Sequence, residues 1–266
     1  MRKLEGISLR DVQGVYSGPE GDLWELIMGE QIHIGGFQSS MDLATRARIG
    51  EGMEGVDFCC CNGAGMRFLL KVRGVAAMTG VDATETVLNR ARQRFPAMGL
   101  SAQASLVHKD VCESGLPSES FDFAWGEDAW CYVADKARLI AEAVRVVKKG
   151  GTVAFTDWVE GKPLTEEESR LYLTFMKFPT LETLEGYKAL LERNGCEVLE
   201  ASDTGRFAPY VDLYIEMLSK QLTYDALKII GFDFRMMEML AGEMAFMQRL
   251  AHEGKAIQGR FIARKR

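Results

Sequence analysis

The stretch Val56–Asp82, VDFCCCNGAGMRFLLKVRGVAAMTGVD, constrains the chain more than any other. It reads as a short apolar strand, a glycine-containing turn, a helix, and a second strand closed by a carboxylate. Val56 and Phe58 suit a parallel strand buried on both faces, where strict alternation is lost. Asn62-Gly63-Ala64-Gly65 supplies the turn, and glycine there lets the backbone approach a ligand closely. Met66 to Val72 continues as a helix whose N-terminal amides face the turn. Gly80-Val81-Asp82 ends the next strand with an acidic side chain positioned to grip a ribose diol. The pattern predicts a nucleotide site at the carboxyl edge of a doubly wound sheet. A dinucleotide fingerprint needs three glycines at GxGxxG spacing, and Cys59 and Cys61 stand where the first two would be. A hydride-transferring dehydrogenase is therefore a poor reading.

The rest of the chain follows in register. Leu23, Trp24, Leu26 and Ile27 make a helical apolar face, Gly29–Ser40 is polar and glycine-rich, and Asp42–Ile49 suggests a short helix. Asp82-Ala83-Thr84-Glu85 has the form of a capping box, before a helix carrying Val87, Leu88, Ala91 and Phe95. Further strands are predicted at Leu106–Asp110, Phe121–Trp125, Thr152–Trp158 and Glu197–Ala201. A helix is predicted from Asp135 to Lys149, ended by Gly150-Gly151, and another over Leu181–Leu191, stopped by Asn194-Gly195. Asp203–Gly254 is helical and rich in methionine, and Ala256–Ala263 alternates as an edge strand. Strands alternating with helices predict a parallel sheet, and the long excursion before the last strand suits an antiparallel addition.

With 266 residues, 47% of them hydrophobic and 26% charged, the chain has ample core for one large α/β domain with a cap. A formal net charge of −6 argues against a nucleic-acid enzyme. No apolar run at the N-terminus has signal-peptide form and none reaches membrane-span length, so a cytoplasmic protein with no membrane partner is expected. Six cysteines lack the spacing of a metal site or a disulfide framework, and free thiols with no bound metal are expected.

This order resembles the class I S-adenosylmethionine (SAM) methyltransferases, whose first motif is commonly hydrophobic-D-x-G-C-G-x-G-x-G. Asp57, Cys60, Gly63 and Gly65 fit it, while Cys59 and Cys61 replace two of its glycines. Several segments are most similar to the glycine/sarcosine/dimethylglycine and phosphoethanolamine N-methyltransferases: Gly29–Gly35 (GEQIHIG) to their lid motif, Glu127-Asp128-Ala129 with Asp135-Lys136 to the motif after strand four, Phe155-Thr156-Asp157 to the end of strand five, and Gly259–Lys265 to the last strand. The resemblance implies a seven-stranded Rossmann-like methyltransferase sheet with an antiparallel last strand. It divides the chain into a lid segment (residues 1–50), a core (51–202), a helical cap (203–254) and a final core strand (255–266).

It also implies SAM as methyl donor, leaving as S-adenosylhomocysteine, and a small-molecule acceptor, most naturally an amine nitrogen of glycine-derived or aminoalcohol type. Cofactor contacts are expected at Asp57, Cys59, Gly63, Asp82, Ala83, Asp110, Val111 and Glu127: Asp82 on the ribose, Asp110 and Val111 at the adenine, Gly63 toward the methionine part, and Glu127 where the family contacts the cofactor at the end of strand four. Asp57 either supports the turn or binds the amino group. His33, Asp128 and Tyr132 are the polar candidates for handling the acceptor's proton. Trp130, Trp158 and Trp24 are candidate walls of the acceptor pocket, since aromatic faces attract alkylated ammonium. Tyr132 stands where these relatives often have His. Met236, Met237, Met239, Met244 and Met247 read as adaptable cap core. A C- or O-methyltransferase on an aromatic metabolite, a thiol or metalloid methyltransferase, and a non-catalytic SAM-binding module stay open, as does a homodimer.

Overall fold

The computed structural model describes residues 1–266. Before the sheet come a two-residue strand β1 (Arg2–Lys3) and three helices, α1 (Leu9–Ser17), α2 (Pro19–Met28) and α3 (Gly36–Arg46). The core follows as β2 (Glu54–Phe58), α4 (Ala64–Val72), β3 (Ala77–Asp82), α5 (Glu85–Ala97), β4 (Ala104–His108), β5 (Phe121–Glu127), α6 (Lys136–Val146) and β6 (Val147–Glu160). The chain then runs through α7 (Glu166–Met176), β7 (Thr180–Leu181), α8 (Leu184–Arg193) and β8 (Cys196–Asp203). The cap helices α9 (Phe207–Lys220), α10 (Thr223–Ile229) and α11 (Phe234–His252) precede β9 (Ala256–Lys265).

Seven strands form one sheet in the order β4-β3-β2-β5-β6-β9-β8, parallel except for β9, which runs antiparallel between β6 and β8. This is the expected methyltransferase sheet. Strand order reverses between β2 and β5, both parallel and hydrogen-bonded, so a crevice opens beyond their carboxyl ends. Helices α3, α4 and α5 cover one face through Leu43, Leu69, Leu88 and Ala91, and α6 and α8 cover the other through Leu139, Ile140, Tyr187 and Leu191. A third apolar cluster joins α2, α7, α9 and α11 in the cap. Leu23 of α2 packs on Ala226 and Ile230, so lid and cap meet.

The structure departs from expectation at several boundaries. Helix α3 begins at Gly36, not at Asp42, and takes in Phe37–Ser40. Helix α6 stops at Val146, and β6 starts at once through Gly150-Gly151, because Ser120 N–H takes the Val146 carbonyl and Lys148 pairs with Asp122. No capping box forms at residue 82: Thr84 takes the N-cap position of α5 without a side-chain capping bond, while the Asp82 carboxylate accepts from the Thr84 and Cys61 amides at 2.8 and 3.0 Å. The β1–β7 pair was not foreseen; two residues carry no readable period.

Candidate active site

The crevice is a cavity of about 260 Å³ lined by the ends of β2, β3 and β5, the loop after β4, helix α1 and the lid residues 30–33. Its floor is the turn after β2. Cys59 and Cys61 hold left-handed backbone, with φ of 61° and 48°, which is where the family's glycines would be relaxed. Gly65 is needed for space: a Cβ there would lie 3.0 Å from Asp57 Oδ2 and 3.2 Å from Glu127 Oε2. Gly63 shapes the turn at φ 76° but faces away, since its Cβ would meet the Phe95 ring at 2.8 Å, and it does not line the cavity.

Four acidic groups mark the cavity from end to end. Asp110 sits in the loop past β4, its Oδ1 taking the Cys112 amide at 2.8 Å, beside buried Val111. Asp82 follows, with burial pushing its carboxyl upward against the pull of the Thr84 and Cys61 amides. Asp57 lies deeper, 4% exposed, and accepts no hydrogen bond from the protein. Burial, then the charges of Glu127 and Asp82, hold its carboxyl well above the usual range. The turn amide expected to support it goes to Asp82 instead. Ala83 does not line the cavity; its carbonyl is taken by Gln13 of α1 at 2.7 Å and faces His108.

Glu127, at the tip of β5, gathers the lid. Its Oε2 accepts from Trp125 Nε1 at 3.1 Å, and its Oε1 accepts from Ser40 Oγ at 2.7 Å and lies 3.4 Å from His33 Nε2. Ser40 Oγ also meets His33 Nε2 at 3.2 Å and takes the Gln31 amide at 3.0 Å. His33 is thus buried in contact with a carboxylate at the cavity wall. Asp128 lines the same wall in left-handed backbone (φ 51°), but its oxygens are occupied by the Ile34 amide at 2.8 Å and by Gln258 Nε2 at 2.8 and 3.0 Å. It therefore ties lid, β5 and β9 together, and a proton-handling role at Asp128 lacks a free oxygen. Tyr132 lines the cavity edge-on to Tyr16 (5.4 Å) and Phe178 (5.0 Å), and burial raises its phenol pKa.

The tryptophans are placed otherwise than expected. Trp130 is fully buried, stacked on Phe155 at 4.0 Å, with Nε1 donating to the Phe58 carbonyl. Gly126 makes its seat, since a Cβ there would lie 2.2 Å from the indole nitrogen. Trp158 is packed edge-on between Phe178 and Phe207. Trp24 lines a different cavity, in the cap. None of the three lines the crevice, whose aromatic lining is Tyr16 and Tyr132.

Sequence reading also missed the lid's fastening. Arg67 of α4 donates to the Asn62 carbonyl and to Glu30 Oε2, both at 2.6 Å, and Asn62 Nδ2 donates to the Glu30 carbonyl at 3.1 Å. An arginine in an apolar helix after a glycine turn was the available signal. No group of three or more His, Cys, Asp and Glu side chains is arranged to hold a metal ion, and no helix is long and apolar enough to cross a membrane.

This lining suits SAM: carboxylates at the end of β3 and just past β4, a close-approach glycine, and an unpartnered buried carboxylate on β2. Residues 56–155 match the family model described as methyltransferase domain. That domain spans a little over a third of the chain, which is similar in sequence and fold to SAM-dependent methyltransferases. Among relatives, it is 26% identical over 171 residues to methyltransferase GfsG of Streptomyces halstedii, covering 63% of this chain and 61% of the relative. It is 25% identical over 193 residues to the glycine/sarcosine/dimethylglycine N-methyltransferase of Actinopolyspora halophila, covering 68% of this chain and 34% of the relative. The fold superposes with a TM-score of 0.85 on a Haemonchus contortus phosphoethanolamine N-methyltransferase 2 solved with SAM, at 20% identity, over 98% of this chain and 60% of that one. The chain spans under two thirds of each of these three proteins.

Proposed function

We propose that this protein transfers the methyl group of SAM to an amine nitrogen of a small molecule. The observation that carries the reading is the inner wall of the crevice, where Asp57 and Glu127 stand nearly buried with no Lys or Arg against them and His33 touches Glu127. SAM, when bound, supplies a methyl group on a positively charged sulfur. Asp57, Asp82, Asp110 and Glu127 would hold it, with the Asp57 and Glu127 charges facing its positive groups. The same negative wall attracts a protonated amine, and the His33–Glu127 pair is the group there that can take its proton and free the lone pair. Tyr16 and Tyr132, packed edge to face at 5.4 Å, line the same crevice and would bound the acceptor. The lid then holds both partners in line, and positioning of that kind can supply much of the rate.

Within the amine class, an acceptor without a strong anion fits best. Arg138 is the one Arg or Lys lining the crevice, and it stands with Asp110 and Asp135 and pairs with Glu113 at 3.5 Å. That favours the aminoalcohol type over glycine-derived acceptors. A second reading, transfer to oxygen or carbon of an apolar metabolite, is favoured by the aromatic set Tyr16, Tyr132 and Phe178. The test is incubation with SAM and matched panels of amines, alcohols and phenols, with S-adenosylhomocysteine and methylated product followed by mass spectrometry. Turnover confined to amines is expected. Product from hydroxyl acceptors alone would overturn the amine reading, and SAM binding without turnover of any acceptor would leave a binding module.

A further inference from the structure

The largest cavity described here is not the crevice. A hollow of about 470 Å³ opens in the cap among α1, α2, α7, α9, α10 and α11, and no residue lines both it and the crevice. Ile27, Met176, Phe178 and Tyr132 pack as one cluster between the two. Its walls are mostly apolar, including Trp24, Phe175, Leu218, Leu240 and Met244, and the thioethers give a surface that adapts to shape. Its size and lining are those of a small-molecule site.

Three charged side chains stand among the lining residues: Glu20 of α2, Glu243 of α11 and Lys177 after α7. Each is half-buried, and none has an ion-pair or hydrogen-bond partner within contact distance. Glu20 and Glu243 act on one another as like charges, and Lys177 acts on Glu243 from too far away to form a bridge. Lys177 is also drawn on by Asp11. Two carboxylates against one ammonium leave the lining net negative in a cavity that Trp24 also lines, a setting that attracts a cation.

We propose that this cavity is a second ligand site, distinct from the crevice, that takes a molecule with an apolar body and a cationic head, of the alkylamine or arylalkylamine class. The body fills the methionine- and leucine-lined hollow, and the ammonium lies between Glu20 and Glu243. The proposal does not depend on the methyl acceptor's identity.

The test is calorimetric titration of the full chain with octylammonium, octanol and octanoate at equal ionic strength, with and without saturating SAM. Octylammonium should bind at least tenfold tighter than octanol, octanoate most weakly, and SAM should not displace it. The double variant Glu20→Gln, Glu243→Gln should bring octylammonium to the level of octanol. Leu240→Trp, which fills the hollow, should abolish binding of all three while its SAM titration stays native, the latter also reporting that the variant folds. Equal binding of the three probes, no binding of octylammonium, or its displacement by SAM would each overturn the proposal.

Discussion

The crevice and the cap cavity sit on opposite sides of one aromatic partition and have opposite characters. The crevice is built from strand ends and loops, and its walls carry Asp57, Asp82, Asp110 and Glu127. The cap cavity is built from helix flanks, and its walls carry Leu, Ile and Met. Strand ends deliver backbone amides and short acidic side chains to a fixed line, which suits a charged cofactor with defined atoms. Helix flanks deliver long flexible side chains, which suit ligands recognised by volume. Packing differs as well: Phe234 and Met239 of α11 are 68% and 56% exposed, whereas the sheet's aromatic residues Phe123, Phe155 and Phe261 are fully buried.

Several substitutions would break or sharpen this contrast. The largest effect is expected in the crevice at His33: His33→Ala should lower kcat by about 100-fold, the range of a lost general acid–base group, with SAM affinity changed little. Steady-state kinetics alongside SAM calorimetry checks it; an unchanged kcat would remove His33 from the mechanism. Next, Asp82→Ala should weaken SAM binding by roughly 2–3 kcal/mol, on the scale of hydrogen bonds to a charged group, and leave octylammonium binding in the cap unaltered. Loss of both would mean the two sites are not separate.

A pH test concerns the sheet beneath the crevice. Asp157 is buried against Tyr187 Oη (2.6 Å) and the Cys131 amide (2.9 Å), and burial pushes its carboxyl from 3.8 up to about 6. The folded chain thus holds this proton more tightly than the unfolded chain does. That stabilisation is fully present below about pH 4 and is lost as pH rises through 6, a change on the order of 3 kcal/mol. Denaturant unfolding across pH 4–7 should show Asp157→Asn lacking this part of the slope.

Smaller effects separate the two kinds of left-handed residue in the turn. Gly63→Ala should cost about 1–2 kcal/mol, from left-handed strain and contact with Phe95. Cys59→Gly and Cys61→Gly relieve strain but free the unfolded chain, and a net change under about 1 kcal/mol is expected in thermal unfolding. Smallest of all, Phe234→Ser on the exposed cap should move stability by no more than about 0.5 kcal/mol.

The same contrast explains what the sequence made legible. The β2–α4–β3 unit is local: Gly63, Gly65 and Asp82 reach their places within thirty residues, so their spacing carries the site. Asp57 and Glu127 came from the family's motifs at strand ends, and His33 from its lid motif. Gln13, Ser40, Arg67 and Gln258 were missed because each acts across the fold; Gln258 meets Asp128 from 130 residues away. Trp130 misled because an aromatic just past a strand end looks like a pocket wall, whereas Gly126 four residues earlier leaves room for the ring to turn inward. The cap cavity had no signature at all, since a helix lining a hollow and a helix lining a core share one amphipathic pattern.

The place of β9 has a consequence for how the protein is made. This strand lies between β6 and β8, and β8 pairs with no other strand. A ribosome extends the chain at about 5–20 residues per second, so the fifty or so residues between β8 and β9 take several seconds to appear. Throughout that interval the buried edge of β6 is an unpaired, apolar template, β8 has nothing to join, and Gln258 has not yet arrived to brace Asp128. The nascent protein passes through a window in which its longest-paired strands, β6–β9 and β8–β9, do not yet exist.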